Sequence, residues 1–134
     1  MTRSNWELRL SPLADQDILD VLQFTNDRFG EQQADDYADL IGRALTTLED
    51  DPLDLLSKPR DDVRAGLRCL HIGQRGRNAR HLFVYRVHED AKIVEVLRLL
   101  HDAMDLERHL PETQTLARPS RDRGQRPAWL QGRR

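Results

Sequence analysis

The side chains with the widest chemical reach in this chain are five histidines, His71, His81, His88, His101 and His109, and one cysteine, Cys69. An imidazole titrates near neutral pH and can act as acid, base or metal ligand. None of the five sits in a motif that fixes such a role, since the chain has no G-x-S-x-G, no H-E-x-x-H and no glycine-rich phosphate loop. Gly73 and Gly76 fall between two strand-like runs, which is the punctuation of a hairpin. Cys69 and His71 share one strand face, two ligands where a structural zinc site needs four, so no metal is expected. A strand cysteine usually behaves as a small hydrophobe rather than a nucleophile. The pairs Asp35-Asp36, Asp50-Asp51 and Asp61-Asp62 fall at helix surfaces and ends, where carboxylates are solvated or placed by the helix dipole. No catalytic centre and no cofactor follow from these residues.

The arginines say more. Arg86 is in step with Leu82 and Val84 on one strand, and Arg98 with Val94, Val96 and Leu100 on another. Each interrupts an apolar row, so its guanidinium needs a carboxylate or carbonyl partner, or must open onto a surface made for an anionic or protein ligand. The choices are a structural ion pair or a basic patch that includes Arg68 and His101.

The elements that position these residues follow from periodicity. Trp6, Leu8 and Leu10 alternate with charged neighbours, the pattern of a half-buried strand. Ser11-Pro12 is a helix start, with a hydroxyl cap followed by proline at the first helical position. Ile18, Val21, Leu22, Thr25 and Phe29 then recur at helical spacing up to Gly30. A second stripe of Ala34, Tyr37, Ala38, Ile41, Ala44, Leu45 and Leu48 ends at Asp51-Pro52. So short a link around Gly30 predicts an antiparallel helical hairpin. After a loop from Leu53 to Ala65, three strands are expected at Leu67–Ile72, His81–Val87 and Ile93–Leu100, joined tightly enough to form an antiparallel meander. Asp102 can cap a short turn through Met104, Leu106 and Leu110 before Pro111. The fold class is α+β, in the order β-α-α-β-β-β, with the hairpin packed on one face of a small antiparallel sheet.

A chain of 134 residues holds one compact domain, here residues 1–110. Its 38% hydrophobic content is below the usual share of about 45–50% and implies a small core. The lone cysteine, and the lack of a basic start followed by an apolar run, lead us to expect a cytosolic protein. No stretch approaches the ~20 apolar residues that span a bilayer, so no membrane association is expected. The net charge of −2 gives the whole chain no reason to coat nucleic acid. Charge is nonetheless uneven. Residues 1–62 carry 6 Lys and Arg against 15 Asp and Glu, residues 63–110 carry 9 against 6, and residues 111–134 carry 6 against 2. That last segment has three prolines and too little apolar content to offset its own ordering entropy, and it reads as a mobile arm.

The order of elements and several words within them resemble the ParE branch of the RelE/ParE superfamily of bacterial type II toxins. The resemblance is carried by Trp6-Glu-Leu-Arg-Leu-Ser-Pro12, Val63-Arg-Ala-Gly-Leu-Arg68, His81-Leu-Phe-Val-Tyr-Arg-Val87 and, above all, the run from Glu95 to Leu110. It covers roughly residues 6–110 and leaves the arginine-rich tail out. It implies a cofactor-free toxin held inactive by a cognate antitoxin, whose C-terminal segment folds on contact along the helical hairpin and sheet. Ile18, Leu22, Tyr37 and Ile41 are the contacts expected for it. Operator DNA is then reached only through the antitoxin.

Two targets compete under this resemblance. ParE-like members poison DNA gyrase by binding it, which stops growth without chemistry of their own. RelE-like members cleave messenger RNA on the ribosome, which needs a base, an acid and cationic stabilisation of the phosphate. Arg68, Arg86, Arg98 and His101 are the residues that could serve the second activity. The nuclease pattern is incomplete, however. The tyrosines, Tyr37 and Tyr85, lie far from the C-terminus, Leu82 stands where such nucleases commonly place a basic residue, and Val63 to Ile72 contains no lysine. Gyrase poisoning is therefore preferred, with Arg98, His101, Met104 and Arg108 as the expected target contacts.

Overall fold

A computed structural model describes residues 6–54, 56–73, 79–104 and 106–110. The arm expected over 111–134 lies outside the described residues. Strand β1 (Glu7–Leu10) leads into helices α1 (Pro12–Phe29) and α2 (Glu31–Asp50), followed by strands β2 (Lys58–Pro59), β3 (Leu67–His71), β4 (His81–His88) and β5 (Ile93–His101) and a 3₁₀ turn at Leu106–His109. The five strands form one sheet in the order β1-β5-β4-β3-β2. The expected α+β class and hairpin-on-sheet arrangement are found, and β3-β4-β5 is an antiparallel meander.

The sheet is mixed rather than purely antiparallel. β1 pairs parallel to β5, Leu8 opposite Val94 and Leu10 opposite Val96. A further strand, β2, arises within the segment read as loop: Lys58 pairs with Cys69, and Pro59 with Arg68. Two residues containing a proline give no periodicity to detect, and proline is tolerated there because β2 is an edge.

Helix α1 starts where the Ser11 side chain accepts from the Ala14 N–H at 3.0 Å and its hydroxyl donates to the Leu97 carbonyl at 2.7 Å, so the cap also ties the helix to β5. A single residue, Gly30, joins the helices. Its φ of +97° is one that side chains with a Cβ rarely adopt. Ala14 and Ile18 of α1 and Ala38, Ile41, Ala44, Leu45 and Leu48 of α2 are buried. They pack with Leu70, Phe83, Tyr85, Val94, Val96 and Leu99 into the main core on the sheet's helix-covered face. The opposite face holds a smaller cluster of Leu67, Cys69, Val84, Leu97 and Leu100, closed by Leu106 and Leu110 from the C-terminal turn.

Period-2 reasoning fails in the middle of β5. Tyr85 pairs with Val96 and Val84 with Arg98, so Leu97 is an extra residue, a β-bulge. Val94, Val96 and Leu99 consequently face the hairpin, while Leu97 and Leu100 face away. Arg98 therefore does not continue the row of Val94 and Val96.

Candidate functional site

Arg98 takes the structural option. Its Nε and Nη2 donate to the two carboxylate oxygens of Asp17 on α1 at 2.7 and 2.9 Å, and the Leu99 N–H donates to the same carboxylate at 3.0 Å. Both side chains are largely shielded, and the carboxylate raises the guanidinium pKa. Arg68 is likewise engaged: its Nε donates to the Ser57 hydroxyl at 2.8 Å. That hydroxyl also bonds the buried Tyr85 hydroxyl, which in turn donates to the Pro52 carbonyl, so one network pins the loop after α2 to the sheet. Burial pushes the Tyr85 phenol up, which keeps it a donor. Arg86 lies opposite Glu95 across the β4–β5 pair. Glu95 is only 3% exposed and accepts from Nε2 of His88 at 2.9 Å.

These four candidates are not gathered. Arg68 reaches the loop beside β3, Arg98 reaches α1 and His101 lies opposite His81 at the end of the meander. Arg86 is five residues along β4 from His81, about 17 Å at the usual strand rise. No single phosphate could meet them all.

A different group of titratable side chains does converge, at the end of the sheet where β3, β4 and β5 meet α2. The Tyr37 hydroxyl sits 2.7 Å from Nδ1 of His81 and accepts from the Arg80 N–H at 3.0 Å. The His81 and His101 rings meet edge to face, with centroids 5.4 Å apart. His71 donates from Nε2 to Asp102 at 3.0 Å and accepts at Nδ1 from the Gly73 N–H at 3.0 Å, which fixes its tautomer. Burial, with His101 beside it, lowers the His81 pKa from 6.5 to about 4. Burial also raises the Tyr37 phenol, so Tyr37 donates to a neutral His81. The bond from His71 lowers the Asp102 carboxyl. Tyr37 and His81 thus join helix to sheet. Sequence reading missed this group because its members come from four separate elements.

On the face away from the hairpin lies an open groove of about 460 Å³, lined by Leu56, Lys58, Arg60, Cys69, His71, Gly73 and Leu82. Cys69 and His71 do share this side, as the strand period predicts. Burial pushes the Cys69 thiol up, away from the reactive thiolate. Arg60 is held by Asp62 through bonds of 2.9 and 3.0 Å. Among the described residues no three His, Cys, Asp or Glu are placed to hold a metal ion.

The expected contact residues divide by exposure. Ile18 and Ile41, expected to meet an antitoxin, are fully buried, so they belong to the core and offer a partner nothing. Leu22 and Tyr37 are half-buried. The apolar side chains that α1 does present are Leu13, Leu19, Phe24 and Phe29. Of the expected target contacts, Met104 and Arg108 are exposed and His101 is half-buried. No helix among the described residues is long and apolar enough to cross a membrane.

Comparison with known proteins supplies the remaining fact. Residues 8–106 match the family model described as ParE toxin of type II toxin-antitoxin system, parDE. Toxin ParE1 of Caulobacter vibrioides is 31% identical over 102 residues, covering 76% of this chain and 95% of that protein. Toxin ParE1 of Mycobacterium tuberculosis is 32% identical over 101 residues, covering 75% and 94%.

Proposed function

This chain belongs to the ParE toxin family of type II toxin-antitoxin systems, and we propose that it acts by binding DNA gyrase in the cytoplasm, without chemistry of its own, until a cognate antitoxin covers it. The observation that carries this reading is the dispersal of Arg68, Arg86, Arg98 and His101, two of which are committed to holding the fold together. Poisoning by contact needs a surface and no reaction centre. His101 at the end of β5 and Met104 and Arg108 after it are offered for that contact, while Arg98, the fourth expected contact, is bonded to Asp17. The antitoxin contact lies over the hairpin, where Leu13, Leu19, Phe24 and Phe29 stand among acidic neighbours. An apolar segment flanked by basic residues fits this surface and can gain order as it binds.

Purified protein added to a supercoiling reaction should stop gyrase, and added to translating ribosomes should leave the message whole. Intact supercoiling with a cut message overturns the reading. Deleting residues 111–134 should weaken growth arrest and leave antitoxin binding intact; unchanged arrest removes that segment from the mechanism.

Ribosome-dependent RNA cleavage is the second reading, favoured by one observation, the gathering of His71, His81 and His101 beside Asp102. Under it, His101→Ala and His71→Ala each abolish cutting without unfolding the domain, and retained cutting in both dismisses them as catalytic groups.

A further inference from the structure

The molecule is electrically two-sided. The hairpin, residues 11–50, holds ten Asp and Glu against two Arg. Across the sheet, the groove is lined by Lys58, Arg60 and His71 around an apolar floor of Leu56, Leu82 and Cys69. Among the described residues that line it there is no carboxylate. Arg60 shares its charge with Asp62 and His71 is bonded to Asp102, while Lys58 is exposed and has no carboxylate at ion-pair distance among the described residues. β2 contributes only Lys58 and Pro59 to the sheet edge, so the groove opens beside a strand too short to cover β3.

We propose that this groove is a docking site for an acidic, aliphatic segment of the target protein. An aliphatic side chain lies on Leu56, Leu82 and Cys69, and a neighbouring carboxylate meets Lys58, with Arg60 drawn partly from Asp62. Charge complementarity selects the occupant. A basic segment suits the acidic hairpin, and the same segment is repelled from Lys58 and Arg60, so the two faces sort two partners of opposite charge. The pairing is wet at its rim and apolar at its centre, the arrangement of a protein contact that must also dissociate. The identity of the target rests on the gyrase reading above. The presence of the docking site does not.

The experiment has two arms. In the first, backbone amide shifts of the full chain are followed by NMR as a short peptide alternating Glu and Leu is added, with a Lys and Leu peptide and a mononucleotide as controls. Shifts at Lys58, Cys69, His71 and Leu82 with the acidic peptide alone, lost in Lys58→Glu and retained in Lys58→Arg, support the site. Shifts confined to the hairpin, shifts with the mononucleotide instead, or no shifts at all overturn it. In the second arm, Lys58→Glu should raise the protein concentration needed to stop supercoiling by about tenfold while antitoxin affinity is unchanged. An unaltered dose curve in Lys58→Glu, with the parent protein active, refutes the groove as the target contact. A parent protein that leaves gyrase untouched refutes the gyrase reading, and the peptide arm still decides the docking site. Lys58 is exposed on an edge strand, so loss of fold does not cloud either arm.

Discussion

One face of the sheet is finished and the other is left partly open. In front, two full helices lay Ile18, Ile41, Leu45 and Leu48 against Phe83, Tyr85 and Val96, and all seven side chains have 1% exposure or less. Behind, a short C-terminal turn brings Leu106 and Leu110 over Leu67 and Leu100, and the area beside β2 is an open groove with cations at its lip. The front is built for stability. The back gives up some burial and keeps a surface that another molecule can reach.

Substitutions can break or sharpen that contrast. The largest loss is expected in front, where Leu48→Ala should cost about 2–5 kcal/mol by leaving a cavity no neighbour fills. Thermal denaturation measures it, and a loss no greater than that of Leu82→Ala at the groove would erase the distinction between the faces. Next comes Asp17→Ala, which removes the two hydrogen bonds that Arg98 makes to that carboxylate and takes from the Leu99 N–H its acceptor. A shielded, charge-assisted site of this kind should cost about 1–3 kcal/mol in urea denaturation. Tyr85→Phe should cost about 1 kcal/mol, because the loop from Pro52 to Ser57 loses its hydroxyl anchor. The smallest effect belongs to Lys58→Ala, within about 0.5 kcal/mol of the parent protein, as for an exposed edge residue. A larger loss would mean that the groove wall is part of the core.

The joint between helix α2 and the sheet has its own signature in pH. An unfolded His81 takes up a proton as pH falls through 6.5, while the folded one resists until about 4. The unfolded chain thus binds more protons across that window, so stability declines on acidification from 6.5 to about 4. The bond from His71 to Asp102 is lost on acidification in the same sense. In His81→Gln, a plot of melting temperature against pH should be flatter over this range. An unchanged slope would mean that the joint contributes nothing to acid sensitivity.

Much of the fold was legible because it rests on local rules. The Ser11-Pro12 start, the Gly30 link and the apolar stripe of α2 each announce themselves within one or two helical turns. The back of the molecule was harder to read. β2 is too short to have a period, and the bulge at Leu97 shifts every later side chain of β5 to the other face, which is why Arg98 was placed in the wrong row. Tyr37 was legible as a helix-face aromatic, but its partnership with His81 spans 44 positions and leaves no local trace. Ile18 and Ile41 were correctly read as apolar stripe residues, and the tightness of the core then removed them from any partner's reach.

The parallel pairing of the first strand with the last has a temporal consequence. β1 finds its neighbour only in β5, and the Ser11 cap closes on Leu97, 86 positions later. A chain still being synthesised can form the helical hairpin early, but it lacks the strand that completes the sheet until nearly the whole domain has been made. Contacts of such long range also slow the final assembly step. The newborn protein therefore passes through an interval in which its helices can form while its sheet is still unfinished.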